Sequence, residues 1–203
     1  MIKCNVSIIG TISRKGEMKT DKEGNQFLSF GLRINLPTKE TSVKPLEISV
    51  AKSGSAEDLA NLNQEVRVQV KGTMTLRKKN DVVYYNLSAS EIDLNIEGED
   101  RINGTLVFRG TTGNKEIIDK QGKTGPYRVF DAYSSEKADD NRYTYTWIHF
   151  IDFNTEHPQW LQPKTGIDAE GELELTVFNN RESINCRVST LSFWDKNNTK
   201  QIQ

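Results

Sequence analysis

The chain repeats itself, and this internal repeat constrains its fold more than any other feature of the sequence. The stretch "IGTIS" (9–13) is followed 94 residues later by "NGTLV" (103–107), and "FLSF" (27–30) is followed 100 residues later by "YRVF" (127–130). Further matches keep the same order, and "DKEG" with "DKQG" is one of them. Ordered matches at a nearly constant distance indicate a duplicated domain. The boundary at "IEGED" predicts one domain over residues 1–97 and a second over 98–203.

Each repeat alternates apolar and polar residues in five segments, as half-buried strands do. In the first repeat we expect a short helix over 55–63, between the third and fourth strands, whereas two prolines in the matching segment of the second repeat leave room for a turn at most. This order is that of an OB-fold. The sequence therefore predicts an all-β protein of two tandem OB-fold (five-stranded Greek-key) barrels. The first five strands are expected near 3–13, 26–35, 46–51, 66–77 and 82–94.

Four glycines interrupt otherwise regular strands. They are Gly10, Gly72, Gly104 and Gly171. A glycine inside a strand marks a bulge, a tight bend or a close approach of another backbone. Because barrel closure requires such features, these glycines support the fold and indicate no function.

Composition excludes several classes of function. The formal net charge of -1 points to neither a polyanion nor a membrane as partner, and no apolar run reaches the length of a membrane helix. Cys4 and Cys186 fit neither a zinc spacing nor a disulfide framework, which favours a reduced, cytoplasmic protein. No phosphate-binding GxxxxGK loop is present, and alternation places His149 and Asp152 on opposite faces. We expect no enzyme activity, no cofactor and no metal.

The stretch "RYTYTWIHFIDF" (142–153) places large rings on alternate positions of one strand. Alignment of the repeats resolves which face is buried, since Ile148 corresponds to Ile48 within the apolar set of the first repeat. Ile148 and Phe150 are therefore expected to face the core. Trp147 is expected to face outward, where the first repeat has Glu47.

The second and third strands form the ligand face of an OB-fold. The outward aromatic residues of these strands are Tyr127, Tyr133, Tyr143, Tyr145 and Trp147 in the second repeat and Phe27 in the first. A base stacked on such a ring contributes ~1–3 kcal/mol, whatever its identity. The alternative is that the rings pack against the other barrel or a second subunit, because aromatic residues are also enriched at protein interfaces.

Cationic residues lie in the two loops that flank this face. The loop after the first strand holds Arg14 and Lys15, the loop between the fourth and fifth strands holds Arg77, Lys78 and Lys79, and Arg33 lies on the second strand. Lysine and arginine there would neutralise phosphates and release counterions. Each group taken alone is also typical of a solvated surface.

The ordered pieces "IGTIS", "FLSFGLRIN", "TWIHFIDF", "VRVQVKGTMTLRKKN" and "YYNLSASEIDL" together resemble the bacterial and phage single-stranded DNA-binding protein family. The resemblance implies a non-enzymatic protein that coats single-stranded DNA during replication or recombination, encoded by a phage or plasmid. It also implies that several barrels wrap one strand, so a homodimer would present four OB-folds. Trp147 matches the family's outward aromatic on the third strand.

The chain departs from that family in two respects. It has two barrels, and its end, "FWDKNNTKQIQ", is neither long nor acidic. Recruitment of partner enzymes through an acidic tail is therefore not implied. The alternative function is that of a protein–protein adaptor whose barrels bind no nucleic acid.

Overall fold

A computed structural model describes residues 1–36, 45–79, 82–137, 142–154, 156, 158–178 and 181–195. Within these ranges the protein consists of strands and one six-residue 3₁₀ helix, Ala56–Asn61. No helix in the described part of the chain is long and apolar enough to cross a membrane. The strands are β1 (Ile2–Thr20), β2 (Gln26–Asn35), β3 (Pro45–Lys52), β4 (Arg67–Lys79), β5 (Val82–Leu94), β6 (Arg101–Thr112), β7 (Ile118–Gly122), β8 (Gly125–Lys137), β9 (Tyr143–Asp152), β10 (Gly166–Phe178) and β11 (Arg181–Phe193).

The first barrel consists of β1 to β5. Strand β2 pairs antiparallel with β1 and with β3, β3 pairs parallel with β5, and β5 pairs antiparallel with β4. Strand β4 lies beside β1, which closes the barrel. The 3₁₀ helix connects β3 to β4, and the Ser55 amide before it donates to the Asp58 carboxylate at 2.8 Å. This strand order, with the helix in this place, is that of an OB-fold.

The second barrel repeats the same circular order. Strands β6, β10, β11, β9 and β8 follow one another, and β8 pairs back to β6. The β9–β11 pair is parallel, as is β3–β5 in the first barrel. The chain is therefore all-β and contains two OB-folds in tandem, which confirms the predicted fold.

The chain forms two compact units, and each unit includes a short segment from the half of the sequence that mainly forms the other unit. One unit holds Cys4–Gly104 together with Leu175–Glu182. The other holds Met1–Lys3, Thr105–Glu174 and Ser183–Gln203. The domain boundary between residues 97 and 98 stays a prediction about the repeat.

The cores follow the alternation read from the sequence. On β2, Leu28, Phe30, Leu32 and Ile34 are each at most 1% exposed. In the second barrel the ring of Phe150 packs against those of Phe108 and Phe130, with centroids 5.0 and 5.1 Å apart. Both cysteines are free and buried. Burial raises the pKa of the Cys186 thiol to about 12.

Two segments predicted as loops are strands. Strand β1 continues to Thr20 because residues 17–20 pair with Phe27 and its neighbours on β2, across irregularities between Ile12 and Glu17. Strand β4 likewise continues to Lys79, opposite Val82 on β5. These hairpins satisfy their backbone groups by pairing, which a pattern of charged residues alone does not reveal.

The repeated "DKEG" and "DKQG" stretches have different structures. In the first, the Asp21 carboxylate accepts hydrogen bonds from the Glu23 and Asn25 amides, and Gly24 has φ +88°. Because this φ favours glycine, the stretch forms the turn between β1 and β2. In the second, Asp119–Gly122 lies within β7, and the positive φ, +135°, is at Gly125.

Close backbone approach explains the strand glycines. The Cα of Gly72 faces the Ser88 carbonyl oxygen, and that of Gly171 faces the Arg187 carbonyl oxygen. In the first barrel the pairing of β4 with β5 shifts between Lys71 and Gly72. The prediction of a close approach is therefore confirmed at equivalent positions of the two barrels.

Candidate nucleic-acid interface

The outward residues of β8 and β9 lie opposite one another along the whole length of the two strands. The register pairs Tyr133 with Trp147, Ser135 with Tyr145, and Lys137 with Tyr143. Trp147 is 49% exposed whereas Ile148 is 1% exposed, so the predicted orientation of β9 is confirmed. Because residues on one face of a strand recur about every 7 Å, the rings of this face form a continuous row. We call Tyr133, Tyr143, Tyr145 and Trp147 the aromatic platform.

Trp147 packs against Tyr133 on β8 and lies close to Gly113. Its ring centroid lies 4.9 Å from that of Tyr133, and the Tyr133 ring meets Tyr145 edge-on at 5.4 Å. A side chain on Gly113, just after β6, would come within 3.3 Å of the Trp147 ring. Ring pairs with such geometry contribute ~0.5–1.5 kcal/mol beyond burial. Trp147 is thus packed on one side, while about half of its surface stays exposed to solvent.

A second aromatic cluster lies further along β8 and just beyond the end of β9. Tyr127 stacks on Phe153 with centroids 5.6 Å apart and an interplanar angle of 30°. The guanidinium of Arg187 on β11 lies 4.8 Å from the centroid of the Phe153 ring. Lys120 on β7 is the cross-strand partner of Tyr127. This Tyr127 cluster therefore combines rings with positive charge, a combination suited to bases and phosphates.

A hydrogen-bonded pair of an aspartate and a histidine lies between the platform and the Tyr127 cluster. Asp131 and His149 are cross-strand partners, and Asp131 Oδ1 lies 2.8 Å from His149 Nδ1. This hydrogen bond, more than any other factor, holds the pKa of the Asp131 carboxyl below its ordinary value, and the charge of Lys115 acts in the same direction. Asp131 is therefore a carboxylate at neutral pH.

The equivalent face of the first barrel is polar. Where the second barrel has Trp147, the first has Glu47, which accepts a 2.6 Å hydrogen bond from the Ser13 hydroxyl. Where the second has Tyr133, the first has Arg33, which lies 3.4 Å from the Glu65 carboxylate. Phe27 is half-buried opposite Lys19. The structure thus separates the six predicted aromatic residues, since five lie on β8 and β9 and Phe27 lies on β2.

The predicted cations of the first barrel occupy strands rather than loops. Arg14 and Lys15 are exposed on β1. On β4, Arg77 is the partner of Tyr84, Lys79 is the partner of Val82, and Lys78, which alternates with them, is half-buried. Arg77 and Lys79 therefore share one face of the β4–β5 hairpin with Tyr84, which is 51% exposed.

Three residues that lie beside the predicted site residues, Tyr84 in the first barrel and Phe153 and Arg187 in the second, were missed by the sequence reasoning. Tyr84 alternates with the buried Tyr85, and Phe153 continues the alternation of Trp147 and His149, so a signal existed for both. Arg187 offers no such signal. It reaches Phe153 because β11 pairs in parallel with β9, a neighbour relation that only the barrel topology creates.

No protein-family model matches the chain, and no curated protein matches it. Among solved structures, it is similar to the wild-type single-stranded DNA binding protein from Thermus aquaticus, with TM-score 0.49 and 16% identity over 97% of this chain and 94% of that chain. It is also similar to the small single-stranded DNA-binding protein from Streptomyces coelicolor, with TM-score 0.35 and 13% identity over 44% of this chain and 92% of that chain.

Proposed function

We propose that the protein binds single-stranded DNA with little sequence preference and thereby coats exposed strands during replication or recombination. The observation that supports this most is the open row of rings on β8 and β9, which includes three residues, Tyr143, Tyr145 and Trp147, between 46% and 58% exposed. Large aromatic side chains left in water on the ligand face of an OB-fold are explained by bases that stack on them.

Charge supports the same proposal. Three carboxylates on alternate positions of β10, Glu170, Glu172 and Glu174, are exposed. Positive side chains instead flank the aromatic face, at Lys137, Lys120 and Arg187. In this proposal the bases lie over the rings and the phosphates run along these cations. Arg14, Lys15, Arg33, Arg77, Lys78 and Lys79 are proposed to contact phosphates in the same way on the first barrel. Phosphate contacts of this kind make affinity fall as salt rises.

Assembly is part of the proposal. The family resemblance implies four barrels around one strand, and two copies of this chain would supply them. Such a homodimer would bring two aromatic platforms to one DNA molecule.

The test is a titration with oligo-dT at low salt. Tryptophan fluorescence monitors binding, and light scattering measures the mass of the complex. We expect fluorescence quenching, a steep loss of affinity with added salt, and a complex whose mass contains two chains. Absence of quenching at any salt concentration would contradict DNA binding and favour the adaptor function. A complex with a single chain would contradict only the proposed dimer.

A further inference from the structure

One carboxylate lies in the middle of a surface otherwise made of rings, apolar side chains, Ser135 and Lys137. Along the outward faces of β8 and β9, both fully described, Asp131 is the only acidic residue. It sits between the Tyr133–Trp147 pair on one side and the Val129–Ile151 pair on the other. Its side chain is 48% exposed. A negative charge here repels phosphate, so its position in a DNA-binding face requires a different explanation.

The hydrogen bonds of Asp131 leave part of its acceptor capacity unused. Its Oδ1 bonds His149, and within the described part of the chain its Oδ2 has no hydrogen-bond partner. A carboxylate accepts several hydrogen bonds and donates none. Oδ2 is therefore available to a donor on a bound molecule.

The position of Asp131 determines which part of a nucleotide reaches it. Neighbouring residues on one face of a strand are about 7 Å apart. A base that stacks on Trp147 lies flat over the ring, so its edge extends toward the next cross-strand pair, which is Asp131 with His149. The group presented to Asp131 is then a base edge and not a phosphate.

Bases differ in what they offer a carboxylate. Cytosine presents an N4 amino group, a recognised partner of aspartate and glutamate side chains. Uracil and thymine present one N–H between two carbonyl oxygens, and those oxygens repel a carboxylate. Bases with an amino group thus gain a hydrogen bond at Asp131 that uracil and thymine do not.

We propose that Asp131, oriented by His149, gives one position of the binding face a preference for cytosine over uracil and thymine. The inference rests on the proposed DNA binding and refines it, because the stacking positions around Asp131 remain indifferent to sequence. The lowered pKa of Asp131 keeps its carboxylate ionised, and so able only to accept, at neutral pH.

The experiment compares oligo-dC with oligo-dU of equal length at one fixed salt concentration, in the full chain and in two variants. The two bases have similar size and neither has a methyl group. Asp131→Asn keeps the shape and the acceptor toward His149 but adds a donor, so it can pair with either base. Glu47→Gln is the matched control, since it removes the same charge from an outward strand position of the first barrel.

We expect the unaltered protein to bind oligo-dC about five- to tenfold more tightly than oligo-dU, at the lower end of the discrimination of a well-made base contact. In Asp131→Asn the ratio should fall to within about twofold, and in Glu47→Gln it should persist. Equal binding of the two oligonucleotides by the unaltered protein, or a ratio that persists in Asp131→Asn, would overturn the inference while leaving DNA binding intact. Binding of neither oligonucleotide would instead refute the proposed function.

Discussion

Trp147 differs from the other tryptophans in its surroundings. It is exposed on the aromatic platform, whereas Trp160 and Trp194 are half-buried. Trp160 packs edge-on against Phe193, with centroids 6.2 Å apart, and Arg109 lies 5.5 Å from the centroid of Trp194. A ligand on the face of β8 and β9 would therefore act mainly on the emission of Trp147.

Replacement of the Trp147 ring tests whether a base stacks on it. Trp147→Ala should weaken binding of oligo-dT by ~1–3 kcal/mol, because one stacked base loses its support. Trp147→Phe should retain most of the affinity but lose most of the fluorescence quenching. Both are measured by titration, with affinity in the Phe variant followed by fluorescence anisotropy of a labelled oligonucleotide.

Trp160→Phe is the matched control for that experiment. It removes a tryptophan of the same unit that lies off the platform, so both affinity and quenching should persist. Unchanged affinity in Trp147→Ala would show that bases do not stack at this position.

The strands could be predicted from the sequence where burial controls the alternation of apolar and polar residues. Ile148 and Phe150 were assigned to the core because the repeat aligns them with Ile48 and Val50, and both are buried. The extension of β1 to Thr20 could not be predicted, since an exposed hairpin is held by backbone pairing and its side chains need no periodicity.

For the binding face, alternation predicts which side chains point outward, whereas the contacts between strands depend on the topology. Alternation placed Tyr143, Tyr145 and Trp147 outward, and they are exposed. The edge contact of Tyr133 with Tyr145 and the approach of Arg187 to Phe153 depend on which strands are neighbours and in what register. Single-strand periodicity contains no information about either.

The second prediction belongs to the β4–β5 hairpin. Gly72→Ala should lower the free energy of unfolding by ~1–3 kcal/mol, because a methyl group would collide with the backbone at Ser88 and Ala89. Gly171→Ala should have a similar effect, because Arg187 presents the same obstacle in the second barrel. Urea denaturation followed by circular dichroism measures both.

Thr75→Ala is a suitable control on the same strand, since Thr75 is exposed and loses only a long, 3.5 Å hydrogen bond from its hydroxyl to the Asn86 carbonyl oxygen. It should alter stability by less than about 0.5 kcal/mol. If Gly72→Ala were as mild as Thr75→Ala, the close approach of β5 to Gly72 would be wrong.

The two compact units do not follow the order of the sequence. Leu175–Glu182 belongs to the unit that contains most of the first repeat. Within that unit the Tyr85 hydroxyl donates a 2.9 Å hydrogen bond to Glu182. Strand β10 is therefore divided between the two units, with the division between Glu174 and Leu175.

This division predicts that two neighbouring leucines on β10 stabilise different units. Leu173 is 4% exposed and Leu175 is 5% exposed, but they are assigned to different units. Replacing either with alanine should cost ~2–5 kcal/mol, because both are core leucines. Leu175→Ala should speed amide hydrogen exchange mainly within residues 4–97, and Leu173→Ala mainly within 105–172. Mass spectrometry of peptic peptides locates the faster-exchanging amides in each variant. The same pattern in both variants would show that Leu173 and Leu175 stabilise the same unit.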